Sequence, residues 1–207
     1  MATKNNLATT IANASLSIGI FAFVCIGIVT FTHTQTQEKI AHQAHQAKLN
    51  LLQEVVKGIT YDNDLLADTL KISNNRLLGI QDTQDIYQAK QGSKVQAVIL
   101  PVNSFEGYSG QIKLLIAIDH NHTIINVRTL EHKETPGLGD KIEVKKSDWI
   151  NQFVGKNLTN TTDNQWKVKK HSGEFDQLSG ATITSKALIN AAYNALSYVR
   201  DNPELFN

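Results

Sequence analysis

The segment Asp176–Thr182, which reads Asp-Gln-Leu-Ser-Gly-Ala-Thr, is the part of this sequence best suited to hold a phosphate group. Small neighbours leave the Thr182 hydroxyl accessible, and a helix-like stretch follows it. Gly180 permits backbone angles closed to other residues, and Ala181 leaves the approach open. We expect Thr184 or Ser185 to cap the helix, whose N-terminal dipole contributes about half a positive charge. A phosphodiester on the Thr182 oxygen would be stabilised there.

A second segment, His132–Gly139, reads His-Lys-Glu-Thr-Pro-Gly-Leu-Gly. Two glycines around a leucine suggest a loop that closely approaches a flat group, although an ordinary Pro-Gly turn is the simpler alternative. Ser-Gly-Ala-Thr, taken alone, is likewise more often a plain helix start. Neither segment establishes a site by itself.

A third segment, Gly107–Gly110, reads Gly-Tyr-Ser-Gly and precedes the other two. With these three segments in this order, the chain resembles the FMN-binding domain family over approximately residues 90–200. In that family the last threonine of Asp-x-x-Ser-Gly-Ala-Thr carries FMN through a phosphoester bond. The resemblance implies that Thr182 is the acceptor, and that a separate magnesium-dependent flavin transferase takes FMN from FAD and releases AMP.

The resemblance also implies roles for the residues around Thr182. Those before it would be recognised by the transferase or line the phosphate, and Thr184 and Ser185 could donate hydrogen bonds to it. The loop Glu134–Gly139 would form a wall against the isoalloxazine ring. Two roles stay open for His132 and Glu134, which either hydrogen-bond the flavin or hold the loop. The implied cofactor-binding residues are Thr182, Asp176, Ser179, Gly180, Ala181, Thr184, Ser185, His132, Glu134, Thr135, Gly137, Leu138 and Gly139, with no catalytic residue and no metal ligand.

A covalently held flavin implies an electron relay rather than an enzyme with its own substrate turnover. The single anchor and the total length resemble the flavoprotein subunits of Rnf-type complexes, which link electron transfer between ferredoxin and NAD to ion movement. The implied partners are the other subunits of such an inner-membrane complex, the flavin transferase and the membrane. The alternatives are a component like the C subunit of the sodium-pumping NADH:quinone reductase, a free flavin reductase, a non-redox flavin-binding membrane sensor and a purely structural anchor. For the first of these the chain has little room for the expected insertions.

Runs of β-branched residues and helical patterns must position these segments. A meander of antiparallel strands followed by one more strand is predicted over Val95–Leu100, Ile112–Ile118, Thr123–Leu130 and Trp166–Lys169. Helical spacing is predicted around Trp149–Phe153 and over Ser185–Arg200, where Asp201-Asn202-Pro203 is a stop signal. Helices around a block of strands indicate an α+β domain, an antiparallel sheet with flanking helices.

The N-terminal region predicts one membrane anchor. No Asp, Glu, Lys or Arg occurs between Lys4 and Glu38, and a helix of roughly 20 such residues spans a bilayer. We favour an uncleaved anchor over a signal peptide because the residues after Phe31 offer no small-x-small cleavage site. The expected organisation is a cytoplasmic tail over 1–12, an anchor over 13–32, a helical connector over 33–90 that contains a helix ended by Gly58, and a periplasmic FMN-binding domain over 91–207.

Composition excludes several function classes. The charges nearly cancel, with 20 basic and 19 acidic residues, so nothing points to nucleic acid. Cys25 is the only cysteine, which excludes disulfides, CxxC pairs and thiolate clusters within the chain. No GxGxxG dinucleotide loop occurs, and His42 and His45 lack further ligands, so we interpret them as solvated. The basic cluster Lys167, Lys169 and Lys170 is interpreted as a solvated strand edge.

Overall fold

We describe residues 2–207 of a computed structural model, with the side-chain surroundings of all of them except residues 2–7 and 38. The chain divides into two compact units, Met1–Lys48 and Leu49–Asn207. The first unit belongs to one long helix, and the second contains the sheet and the three segments singled out above.

Helix α1 spans Ala2–Val55 and contains the predicted anchor. Its most apolar window of 18 residues has a mean hydropathy of 2.3, and none of that window is buried. Large apolar side chains such as Phe21 and Phe23 are exposed. Because about 20 apolar helical residues span a bilayer core, α1 is long and apolar enough to cross a membrane. Met1 and the side chain of Lys4, which belong to the predicted tail, lie outside the described residues.

The second unit is built on one five-stranded antiparallel sheet in which each strand pairs with the next along the chain. The strands are β1 (Thr69–Ile72), β2 (Gln84–Gln91), β3 (Lys94–Gly107), β4 (Gly110–Asp119) and β5 (Ile124–Glu131). The turn after β4 is held by Asp119, whose carboxylate accepts the N–H groups of Asn121 and Thr123. The predicted α+β class with an antiparallel meander is confirmed.

Both faces of the central strands are buried because helices cover the two sides of the sheet. On one side Val98 belongs to the same apolar cluster as Leu196 of helix α2, which spans Thr182–Asp201. On the other side Ile99 belongs to a cluster with Leu52, near the C-terminal end of α1. Burial on both faces explains why β3 and β4 are continuous apolar runs rather than alternating patterns.

The segment between β5 and α2 is held by short turns and aromatic packing rather than by the sheet. It contains the 3-10 helices Gly139–Ile142, Asp148–Phe153, Asp163–Gln165 and Lys169–His171, and a fifth, Pro203–Phe206, follows α2. Phe175 lies between two other rings, with centroid distances of 5.1 Å to Phe153 and 4.9 Å to Trp166. These rings are buried and give the irregular segment a core of its own.

Two predictions of secondary structure are wrong. The helical connector expected over 33–90 contains β1 and β2, because pairing with β3 overrides the polar, weakly β-branched sequence of β2. The strand expected over Trp166–Lys169 is reduced to a single bridge between Val168 and Phe175. Trp166 and Val168 are buried and Lys167 is exposed, so the alternation is present, but within residues 2–207 no neighbouring strand extends the bridge.

Candidate cofactor site

The three segments converge at the N-terminus of α2 and enclose a cavity of about 490 Å³. This volume lies in the usual range for small-molecule sites, roughly 300 to 1,000 Å³. Its lining is contributed by all three segments and consists of Tyr108, Glu134, Thr135, Leu138, Gly139, Gly180, Ala181, Thr182, Ile183 and Thr184. The cavity therefore lies where the sequence motifs meet.

Thr182 is the first residue of α2, and Ala181 at the N-cap contributes no side-chain hydrogen bond. Ser185 is the first residue whose N–H bonds back to the turn, to the Ala181 carbonyl at 3.0 Å. The N–H groups of Thr182, Ile183 and Thr184 precede it and have no acceptor four residues earlier within the helix. Together with the helix dipole, these groups suit a phosphate carried on the Thr182 oxygen.

The prediction that Thr184 or Ser185 caps α2 is wrong, because the helix already begins at Thr182. Both side chains are fully buried in its first turn. The Ser185 hydroxyl accepts the Leu178 N–H at 2.9 Å and donates to the Ala181 carbonyl at 2.9 Å. The Thr184 hydroxyl donates to a carboxylate of the second segment. Both hydroxyls are thus already engaged with protein acceptors.

Gly180 and Leu138 bring the second and third segments into contact. Gly180 has φ of +75°, in the region that favours glycine. A Cβ atom at this position would lie 2.9 Å from Cδ2 of Leu138. Gly137, beside Leu138, also has a positive φ of +79°. Glycine at 180 therefore serves both the backbone turn and the close approach of the leucine.

Glu134 is 5% exposed and joins all three segments. Its Oε2 accepts the hydroxyl hydrogen of Thr184, and its Oε1 accepts the Ser109 N–H at 3.1 Å. Each of the two carboxylate oxygens thus accepts one hydrogen bond. A Cβ atom on Gly107 would lie 2.9 Å from Oε1, and one on Gly139 would lie 2.8 Å from Oε2. Of the two roles left open for Glu134, these contacts are those of a residue that holds loops.

His132 lies outside the cavity lining and holds the same loop through hydrogen bonds. Its Nδ1 accepts the Glu134 N–H at 3.1 Å, so Nε2 carries the ring proton and faces Glu143 at 2.9 Å. Lys146 contacts Glu143 at 2.6 Å and Asp140 at 3.0 Å. Hydrogen bonding to the Lys146 ammonium holds the pKa values of both carboxyls below their ordinary range. This chain of contacts fixes both ends of the loop.

Asp176 and Ser179 also lie outside the cavity lining. The Asp176 carboxylate pairs with Lys169 at 2.8 Å. Its N–H donates to the Gln152 side chain at 2.8 Å, and its carbonyl accepts from Trp149 Nε1 at 2.7 Å. Asp176 thus attaches the start of the third segment to the second 3-10 helix, a long-range contact that the sequence motif does not reveal.

Two cavity residues, Tyr108 and Ile183, are not among the cofactor-binding residues implied by the sequence. Tyr108, Leu138 and Ile183 are 68%, 42% and 50% exposed and line the cavity with apolar surface. We call these three residues the apolar rim. Tyr108 lies inside the segment Gly107–Gly110, and Ile183 directly follows Thr182. These two positions in the sequence could have indicated that both side chains reach the cavity. Large exposed apolar side chains around a cavity suit a flat aromatic ligand.

Two protein families match different parts of this sequence. The sequence matches the FMN-binding domain family over residues 107–197, which include every cavity residue, and the RnfG N-terminal region over residues 1–55. It is 39% identical to the G subunit of the ion-translocating oxidoreductase complex of Shewanella oneidensis, over 93% of this chain and 91% of that protein. The protein of the same name from Yersinia pestis is 38% identical, over 94% and 92%. A crystal structure of Shewanella oneidensis NqrC aligns with a TM-score of 0.45 at 21% identity, covering 68% of this chain and 75% of that chain.

Proposed function

The chain belongs to the family formed by the G subunits of ion-translocating oxidoreductase complexes, and on this premise we propose that it relays electrons through FMN bound covalently to Thr182. As a member of that family it is a membrane-anchored, FMN-binding component of an ion-translocating oxidoreductase. One observation carries the covalent proposal: Thr182 opens α2 inside the cavity that the three segments enclose.

Thr182 would receive the flavin from a separate transferase. Its Oγ1 forms a bond to the phosphorus on the FMN side of FAD, the bond from that phosphorus to the bridging oxygen breaks, and AMP leaves with the oxygen. The hydroxyl proton passes to the transferase. The early N–H groups of α2 then face the phosphate, which retains one negative charge.

The cavity suits a relay better than a substrate-converting enzyme. When bound, FMN supplies the ability to exchange electrons singly or in pairs. The lining contains two ionisable side chains, Glu134 and Tyr108. Because Glu134 already accepts hydrogen bonds from Thr184 and Ser109, the cavity offers no acid–base pair for a substrate. The lining residues would instead hold the ring and the phosphate, while Glu134 keeps the loops in place.

We propose further that the chain lies in the bacterial inner membrane as a single-pass protein. The tail would be cytoplasmic and the FMN-binding domain periplasmic, because large domains translocate largely regardless of their charge. In this arrangement the neighbouring subunits, which handle ferredoxin and NAD, would deliver electrons to the flavin or take them from it.

Intact mass spectrometry tests the covalent bond. Full-length chain made with a flavin transferase should exceed its sequence mass by one FMN less one water, and its fluorescence should stay with the chain in a denaturing gel. Thr182→Ala should show the unmodified mass. Thr162→Ala is the matched control, because Thr162 is another threonine at the N-terminal end of a helix but lies outside the cavity lining, and this variant should remain flavinylated. An unmodified wild-type mass would overturn the proposal, and release of all FMN on denaturation would favour a free flavin reductase.

The place in a complex is tested by purification from membranes. The wild-type chain should be isolated together with iron–sulfur and multi-span subunits, in line with its relatives' name. Isolation without them would favour the sensor alternative.

A further inference from the structure

A second groove lies beside the flavin cavity, and its polar lining includes two lysines and a histidine. It encloses about 250 Å³ between Lys167 and His171 on one side and Lys186 of α2 on the other. We call these three residues the cationic groove. The other side chains that line it include three that are buried and apolar, Trp166, Val168 and Ile189.

The lysines of the cationic groove are not neutralised locally. Among the side chains that the structure describes, no carboxylate forms an ion pair with Lys167 or Lys186, whereas two lysines nearby in sequence are paired. Lys156 contacts Glu174, and Lys169 contacts Asp176 at 2.8 Å. Those pairs engage the acidic residues that lie between Lys167 and Lys186 in the sequence. Basic and acidic residues nearly cancel over the whole chain, 20 against 19. The unpaired positive charge of Lys167 and Lys186 is therefore a feature of this groove and not of the chain as a whole.

The cationic groove adjoins the flavin cavity through α2. Lys186 lies four residues after Thr182 and three after Ile183, and side chains at these spacings have Cβ atoms about 5–6 Å apart. The apolar rim lines the cavity with exposed aromatic and aliphatic surface. An apolar centre with a polar, solvent-accessible rim is the usual anatomy of a protein–protein interface.

We propose that the apolar rim and the cationic groove together form the docking face for the electron-exchanging neighbour in the complex, and that this neighbour presents Asp and Glu side chains to Lys167 and Lys186. The inference rests on the proposed function, because a partner on this face reaches the flavin at Thr182. Charge complementarity would orient the partner and select it against others. Lys167 of the basic cluster is then part of a binding surface rather than of the solvated strand edge that its sequence suggests.

Zero-length carbodiimide coupling tests the contact directly, because it joins lysine amines to carboxylates that touch them. In the purified complex containing the full chain, we expect Lys167 and Lys186 to be coupled to acidic peptides of one other subunit. Arginine at both positions keeps the charge but lacks the amine, so the products should disappear while electron transfer is retained. Coupling to no other subunit, as expected if anionic lipid or solvent occupies the groove, would refute the docking face.

Charge reversal tests the consequence. The double substitution Lys167→Glu and Lys186→Glu should slow flavin reduction in the assembled complex by about tenfold or more, because glutamates facing the partner's carboxylates would repel the partner from this face. Lys94→Glu is the control, because Lys94 is exposed and forms no ion pair within the described residues.

Flavin content separates this inference from the proposed function. The charge-reversed chain should carry as much covalent flavin as wild type by intact mass. A wild-type chain without flavin sinks the proposed function itself. A flavinylated double variant reduced within twofold of the wild-type rate sinks only the docking face. Loss of flavin in the double variant alone would also overturn the inference and assign the groove to the transferase.

Discussion

Replacing Thr184 by valine removes one of the two hydrogen bonds that hold the Glu134 carboxylate. Thr184 is fully buried, and its hydroxyl is the donor to Oε2. Valine has nearly the same shape, so the change leaves little empty space and isolates the hydrogen bond. The Ser109 N–H would still face Oε1, but Oε2 would keep no partner among the described residues.

The expected cost follows from the burial of the carboxylate. Leaving a buried polar group unsatisfied costs about 1–3 kcal/mol, and more when the group is charged. We therefore expect Thr184→Val to lower the free energy of unfolding of the second unit by about 2–3 kcal/mol. Glu134→Gln should be less sensitive to the same change, because an amide is neutral. In a double-mutant cycle, the coupling between the two positions should fall within about 0.5–3 kcal/mol.

Urea unfolding of the full chain in detergent measures this effect. Protein made without a transferase keeps every chain free of flavin, and the fluorescence of Trp149 and Trp166 reports on the second unit. Thr182→Val is the matched control, because it is the same chemical change two residues away on a half-buried side chain. It should stay within about 0.5 kcal/mol of wild type. Equal stability of the two valine variants would refute the role assigned to Glu134.

Two further predictions concern the loops. Gly180→Ala should cost about 1–2 kcal/mol because of its positive φ, and should also displace Leu138 and reduce flavin incorporation. Gly92 also has a positive φ, but a Cβ atom there would meet nothing within 4 Å, so Gly92→Ala should lose stability without losing flavin. Equal flavin incorporation in the two variants would contradict the Leu138 contact. Lys146→Gln removes the ammonium that lowers the folded-state pKa values of Asp140 and Glu143. In wild type these two carboxyls stabilise the fold above about pH 4 to 5, and this contribution is lost as the pH falls through their folded-state pKa values. The difference in unfolding free energy between wild type and Lys146→Gln should therefore be present at about pH 7 and vanish at low pH. Lys145→Gln removes a lysine that has no ion pair in the described part of the chain, so it should show no such difference. A difference that does not change with pH would exclude the mechanism.

The position of the cavity could be predicted because three short segments together resemble the FMN-binding domain family, and local chemistry at these segments is consistent with that resemblance. Gly137 and Gly180 have the positive φ values that make glycine necessary there. The accessible hydroxyl of Thr182 follows from its small neighbours and from the start of α2. The helix start was misplaced by a few residues because Thr184 and Ser185 have the side chains of good caps, yet both are used inside the fold.

Contacts between distant residues could not be predicted in this way. Glu134 reaches Ser109 and Thr184, which are 25 and 50 residues away, and no local pattern encodes such pairs. Trp149 reaches the carbonyl of Asp176 across 27 residues. The same limit applies to β2, whose polar sequence becomes a strand only because β3 offers an edge to pair with.

The exposed position of the apolar rim gives a physical reason for a covalent flavin. Small-molecule sites commonly bury about 70–90% of a ligand, whereas a ring resting on Tyr108, Leu138 and Ile183 would keep part of its edge open. A ligand held by so little buried surface has little binding energy with which to offset its lost freedom. Deeper burial would retain the ring but would keep a neighbouring protein of the complex away from it. The phosphoester bond that we propose at Thr182 removes this conflict, because retention then depends on the bond while the ring stays accessible. Glu134 contributes by holding the three loops, so that the open cavity keeps its shape without closing over the cofactor.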